Sequence, residues 1–155
     1  MTIPVEYQRA TDHFHQFLCD ARDAANLETV NQAYTMTQGV LLAFRRRLPV
    51  PDAIRFANAL PADIRALFVA DWDLDEPLRP FEDRDEMTRE VQSLRPQHNW
   101  APDSSIRDVA RALRRNVDES ALDRALATLN EGAQQFWEIA EASDCSPLIE
   151  LPTSS

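Results

Sequence analysis

The chain has 155 residues, 16 basic and 26 acidic, for a formal net charge of −10, which argues against counterion-driven binding to nucleic acid and against adhesion to an anionic membrane. Every basic residue is arginine, so Schiff-base catalysis and a phosphate-loop lysine are excluded. Two glycines against ten prolines disfavour β-hairpin turns, while the length suits one domain that buries a core without metals or disulfides.

The two cysteines, Cys19 and Cys145, sit near opposite ends, and no charged-then-apolar leader opens the chain. No apolar run approaches the roughly 20 residues of a membrane span, so the expectation is a cytoplasmic protein.

From Tyr7 to Ala25 the apolar residues Ala10, Phe14, Phe17, Leu18 and Ala21 follow three-and-four spacing, which predicts an amphipathic helix. His15 and Cys19 share its polar side near Asp12, but two ligands with no clear third do not define a metal site, and none is assigned. A second helix is predicted from Glu28 to Leu48, with Val40, Leu41 and Phe44 on its buried stripe. Gly39 in its middle costs about 1 kcal/mol relative to Ala, which a close approach by a neighbouring helix would explain.

Arg45, Arg46 and Arg47 close that helix before Leu48-Pro49, where positive charge suits the helix dipole. Pro51 and Pro61 each open a short helix, and the two meet at a tight corner after Leu60. Arg65 falls on the polar side of the second, within reach of Asp63 and other acids. From Asp71 to Pro80 the chain loses periodicity, and Trp72 within it is expected to pack on a core edge or anchor an interface.

The second half begins with a charged helix from Asp83 to Leu94 that covers the core with Met87, Val91 and Leu94. An irregular stretch holding Trp100 follows, and Asp103 or Ser104 is placed to cap the next helix, whose stripe is Ile106, Val109, Ala110 and Leu113. Asp118 and Asn130 look like caps of two further helices, carrying Leu122, Leu126, Phe136 and Trp137.

Sliding the sequence on itself by about 69 positions superposes Val40 on Val109, Phe44 on Leu113, Arg45-Arg46 on Arg114-Arg115, Leu60 on Leu129 and Phe68 on Trp137. The expected fold is therefore all-α: a single domain over residues 1–142 built from two tandem pseudo-repeats of about four helices, about 7–72 and about 81–140. Residues 143–155 are expected to form a flexible tail.

The stretch Val40 to Arg47, the corner Leu60-Pro61-Ala62-Asp63-Ile64-Arg65 with Ala66-Leu67-Phe68, and Trp72-Asp73 resemble the bacterial family termed domain of unknown function 2267. The likeness spans about Tyr7 to Trp137 and is looser after Phe81, where Leu129-Asn130 replaces the family's recurring Leu-Pro. It implies a helical two-repeat protein without an established activity, so no catalytic residues carry over from the family.

The chain lacks a glycine-rich phosphate loop, H-E-x-x-H, C-x-x-C, G-x-S-x-G and the Glu-x-x-His pairs of a di-iron bundle, so no cofactor is assigned. The leading expectation is a non-catalytic interaction or adaptor module, binding another protein or itself near Trp72 and Trp100. The alternative is a sensor or carrier of a small ligand, with Arg45, Arg46 and Arg65 as anion contacts. An enzyme ranks last.

Overall fold

The computed structural model describes residues 2–139, and over that range the chain is helical with no strand. The helices are α1 (Val5–Gln8), α2 (Ala10–Ala24), α3 (Val30–Arg45), α4 (Val50–Ala57), α5 (Ala62–Val69), α6 (Arg84–Ser93), α7 (Ser105–Arg115), α8 (Glu119–Ala127) and α9 (Glu131–Phe136). The tail over 143–155, with Cys145, lies outside the described residues.

Local chemistry sets most of the boundaries. Thr29 and Gln32 form a reciprocal capping box at α3, in which the Thr29 hydroxyl accepts from the Gln32 amide and the Gln32 side chain accepts from the Thr29 amide. Asp83, Asp118 and Asn130 cap α6, α8 and α9 through their side-chain oxygens. At α7 the expected cap is not formed: Ser104 precedes the helix, but its hydroxyl donates to the Asp108 carboxylate at 2.6 Å. Pro61 serves as the N-cap of α5 rather than its first helical residue. The first predicted helix is divided at Arg9, where φ is −111° between α1 and α2.

The helix ends show what the scarcity of glycine means. The residue after the C-cap of α2, α5 and α6 is left-handed in each case, and these are Asn26, Asp71 and Arg95, with φ of 54°, 52° and 52°. Both glycines lie inside helices instead, where they permit close packing. A Cβ on Gly39 would lie 2.9 Å from the Val91 carbonyl oxygen of α6. One on Gly132 would lie 2.8 Å from the Phe81 ring.

Helix α2 packs chiefly on α7 and α3, and α6 lies across α3. One continuous apolar cluster runs from Phe17 to Trp137. At its centre Phe44 contacts Phe56, Phe136 and Trp137 at ring separations of 4.7, 4.9 and 5.3 Å. Phe56 in turn touches Phe68 and Trp137 at 5.2 and 5.3 Å. These separations are those of favourable aromatic pairs, each adding about 0.5–1.5 kcal/mol to area burial. The chain's first and second halves thus share one core, because the end of α9 and its C-cap bring Phe136 and Trp137 onto α3 and α4.

Candidate functional site

The last residue of α3 and the two that follow it are arginines that the sequence places side by side and the fold sends in different directions. Arg45 is 5% exposed, and its Nη1 donates to the carbonyls of Phe68 at 3.0 Å and Ala70 at 2.9 Å. Those carbonyls end α5 without intrahelical partners, so Arg45 caps a neighbouring helix rather than its own. The left-handed turn at Asp71 then lays Trp72 over the guanidinium, 5.1 Å from carbon to ring centroid. Burial, with the adjacent Arg46 charge, pulls the Arg45 pKa below its ordinary value, while Glu76 and Asp71 oppose the change.

Arg47 is more enclosed still, with its side chain 2% exposed. It donates to the carbonyls of Ala43 at 2.7 Å and Pro80 at 3.1 Å and meets Glu90 of α6 at 2.5 Å. Arg46 pairs with Glu76 at 3.0 Å and Glu90 at 3.5 Å. Arg79 pairs with both of these acids, and Glu82 lies 3.8 Å from Arg47. Glu90 therefore gathers three arginines. The network fastens the connector after α5 and the second half of α6 onto the end of α3. Arg45 and Arg47 thus close α3 as expected from the sequence, but from buried positions.

Between this frame and the start of α4 opens a cleft of about 200 Å³, walled by Leu48, Pro49, Val50, Trp72, Leu74 and Leu78. Arg46, Asp73 and Glu76 stand at its edge. Leu74 is 68% exposed, Leu78 60% and Val50 41%, and Ile54, one turn along α4, is 52%. Val50, Leu74 and Leu78, left this open around one cleft, form an apolar patch rather than scattered exposed residues.

The remaining sequence candidates lie elsewhere. Trp100 is 62% exposed on the α6–α7 connector and does not line this cleft. Arg65 caps α4, its Nε donating to Ala57 O at 3.0 Å and its Nη2 to Leu60 O at 2.8 Å. Its acidic partner is Glu6 at 3.2 Å rather than Asp63. Arg45 and Arg46 thus share a cleft that Arg65 does not enter. His15 Nε2 and Cys19 Sγ meet at 3.5 Å, and among the described residues no group of three His, Cys, Asp or Glu is placed to hold a metal.

A second cleft, about 460 Å³, lies where α6, α7 and α9 meet, lined by Arg84, Asp103, Ser104, Arg107, Gln135 and Glu138. Arg84 Nη2 donates to the carbonyls of Gln135 at 2.9 Å and Phe136 at 3.1 Å. Burial and the nearby Arg107 charge lower its pKa, against the pull of Glu138. Beneath, Asp108 is 1% exposed with the Ser104 hydroxyl as its hydrogen-bond partner. Burial raises its pKa, opposed by that bond and by the charges of Arg107 and Arg111.

Sequence reasoning missed Val50, Leu74 and Leu78 as surface residues and Glu90 as a hub. Leu74 and Leu78 flank prolines in a stretch without periodicity, which carries no burial signal; only their four-residue spacing hinted at a shared side.

An all-helical frame, braced by ion pairs and carrying an open apolar cleft, is the class of protein these residues define. The match is to the family described as "Uncharacterized conserved protein (DUF2267)", over residues 14–136, and the chain belongs to that family. No curated protein matches it significantly. Among the described residues no helix is long and apolar enough to cross a membrane.

Proposed function

We propose that the protein is a non-catalytic interaction module that docks a partner polypeptide in the cleft beside Trp72, in the cytoplasm. The observation that carries this reading is the exposure of Val50, Leu74 and Leu78 around one cleft whose supports are hydrogen-bonded and ion-paired. A cleft of about 200 Å³ takes one or two large side chains, too little for most small-molecule ligands but enough for the anchor of a peptide. Preorganisation by Arg45, Arg47 and Glu90 lowers the ordering cost of binding.

The test places a photo-crosslinking phenylalanine analogue at Leu78 or, just before the opposite end of α3, at Glu28, in living cells of the source organism. An adduct from position 78 that position 28 does not give, and that Leu74→Ser removes, is the expected result. Equal adducts from both positions, or none from position 78, would sink the proposal.

Supporting the same architecture, we read the fold as two tandem units. Helices α2 and α6 end at Ala24 and Ser93, and their left-handed residues are Asn26 and Arg95. Arg45 donates to the carbonyl of Phe68 as Arg114 donates to that of Trp137. Each pair matches under the shift of about 69 found in the sequence.

The second reading, a small-ligand carrier, is favoured by the 460 Å³ cleft and its two neighbouring guanidiniums, Arg84 and Arg107. Native mass spectrometry of protein purified from the source organism tests it: a retained mass lost on Arg107→Ala supports it, and an unliganded chain counts against it.

A further inference from the structure

Resting on the reading of the Trp72 cleft as a docking site, we infer the chemistry of its occupant: an amphipathic segment of another protein, presenting large apolar side chains flanked by arginine or lysine. The charges around the cleft select this occupant. Arg46, Arg47 and Arg79 are offset by Glu76, Glu82 and Glu90, with which they pair. That leaves Arg45, which is buried and covered by Trp72, against Asp71, Asp73 and Asp75. All three aspartates are exposed on the connector, and none has an ion-pair partner among the described residues. The connector that carries the cleft's walls therefore has an excess of exposed negative charge, with Asp73 at the cleft's edge and Asp71 and Asp75 beside it in the chain.

A second copy of this chain fits poorly there. A self-complementary interface would set two such acidic rims against each other in a protein of net charge −10. A basic amphipathic segment satisfies both features at once. Its apolar side chains cover Val50, Leu74 and Leu78, while its cations meet the aspartates and choose the partner. The 200 Å³ volume limits the seated anchor to about one or two side chains.

The test uses fluorescein-labelled helical peptides of one design, with leucines at three-and-four spacing and either arginines or glutamates on the opposite face, titrated by anisotropy at about 0.15 M salt. A third peptide keeps the arginines and replaces the leucines by serine. Only the leucine–arginine peptide is expected to bind. Asp73→Asn with Asp75→Asn should weaken it about tenfold, as loss of two rim contacts worth about 0.7 kcal/mol each would. Asp12→Asn with Glu28→Gln, which removes the same charge elsewhere, should change it less than about twofold, and Leu74→Ser with Leu78→Ser should abolish binding.

Equal binding of the glutamate peptide, or equal weakening by both charge-removing pairs, overturns the inference about charge; the docking site itself stands if Leu74→Ser with Leu78→Ser still abolishes binding. Binding of every peptide unaffected by that leucine pair removes the docking site as well. A dimer in sedimentation that the leucine pair disperses overturns the inference in favour of self-association. The substituted side chains are exposed, and circular dichroism checks that each variant is folded.

Discussion

Arg47 and Glu90 meet at 2.5 Å in a place where the arginine side chain is 2% and the glutamate 11% exposed, and this pair joins the end of α3 to α6. Two charges so enclosed are worth little against a well-packed apolar pair, yet removing one leaves the other stranded. The connector between α5 and α6, which carries the cleft's Trp72, Leu74 and Leu78, takes its position from this network.

Glu90→Gln should therefore destabilise the protein by about 2–4 kcal/mol, since Arg47 keeps its buried charge with only the exposed Glu82, 3.8 Å away, as a counter-charge. Urea unfolding followed by circular dichroism measures it. Glu86→Gln, which breaks a surface pair with Arg89, should leave the urea midpoint unchanged. A Glu90→Gln midpoint equal to wild type would show that the network does not brace the connector.

Gly39→Ala tests the contact between α3 and α6. The substitution gains about 1 kcal/mol of helix propensity. It also drives a methyl to within 2.9 Å of a backbone carbonyl and 3.0 Å of the Val91 Cγ1, which overpacks the interface at a cost of about 1–3 kcal/mol. A net loss of stability is expected, seen as a lower melting temperature. A rise in melting temperature would mean that α6 moves aside freely.

Arg95→Gly should act in the opposite direction. Arg95 is exposed, has φ of 52°, and follows the C-cap of α6. Glycine relieves the left-handed strain of about 1–2 kcal/mol but adds freedom to the unfolded chain. A gain of about 0.5–1 kcal/mol in unfolding free energy is expected from chemical denaturation. No gain would show that this end of α6 carries no such strain.

Asp108 makes stability depend on pH. Because burial raises its pKa in the folded state, the folded chain holds this proton more readily than the unfolded chain. The contribution to stability falls as pH rises from the ordinary carboxylate value through the raised one. Asp108→Asn removes that dependence while its amide oxygen can still accept from Ser104. The stability difference, variant minus wild type, should grow more favourable from about pH 4 to about pH 7. Parallel pH profiles for the two proteins would refute the assignment.

How much was legible in advance follows from the range of each interaction. Asp118 and Asn130 were readable as caps because a cap is settled by residues three positions apart. Gly39 announced a close contact because glycine inside a helix is costly unless something requires it. Ser104 misled because its hydroxyl had a better acceptor in Asp108, whose burial no local pattern signals. For Arg65 the sequence offers Asp63 and other acids without choosing among them: the partner is Glu6, which α1 brings across, and two carbonyls take its other donors.

The amino-acid order by itself determined the helical class, the caps at Asp118 and Asn130 and the apolar stripes, because backbone hydrogen bonding and side-chain periodicity act over a few residues. Only the tertiary structure decided that Arg45 and Arg47 turn inward to end a neighbouring helix and meet Glu90, and that Leu74 and Leu78 are left outside on a fixed support. Those outcomes depend on which carbonyls and carboxylates arrive from distant segments, and electrostatic satisfaction of a buried guanidinium is a property of the assembled surroundings rather than of the residue.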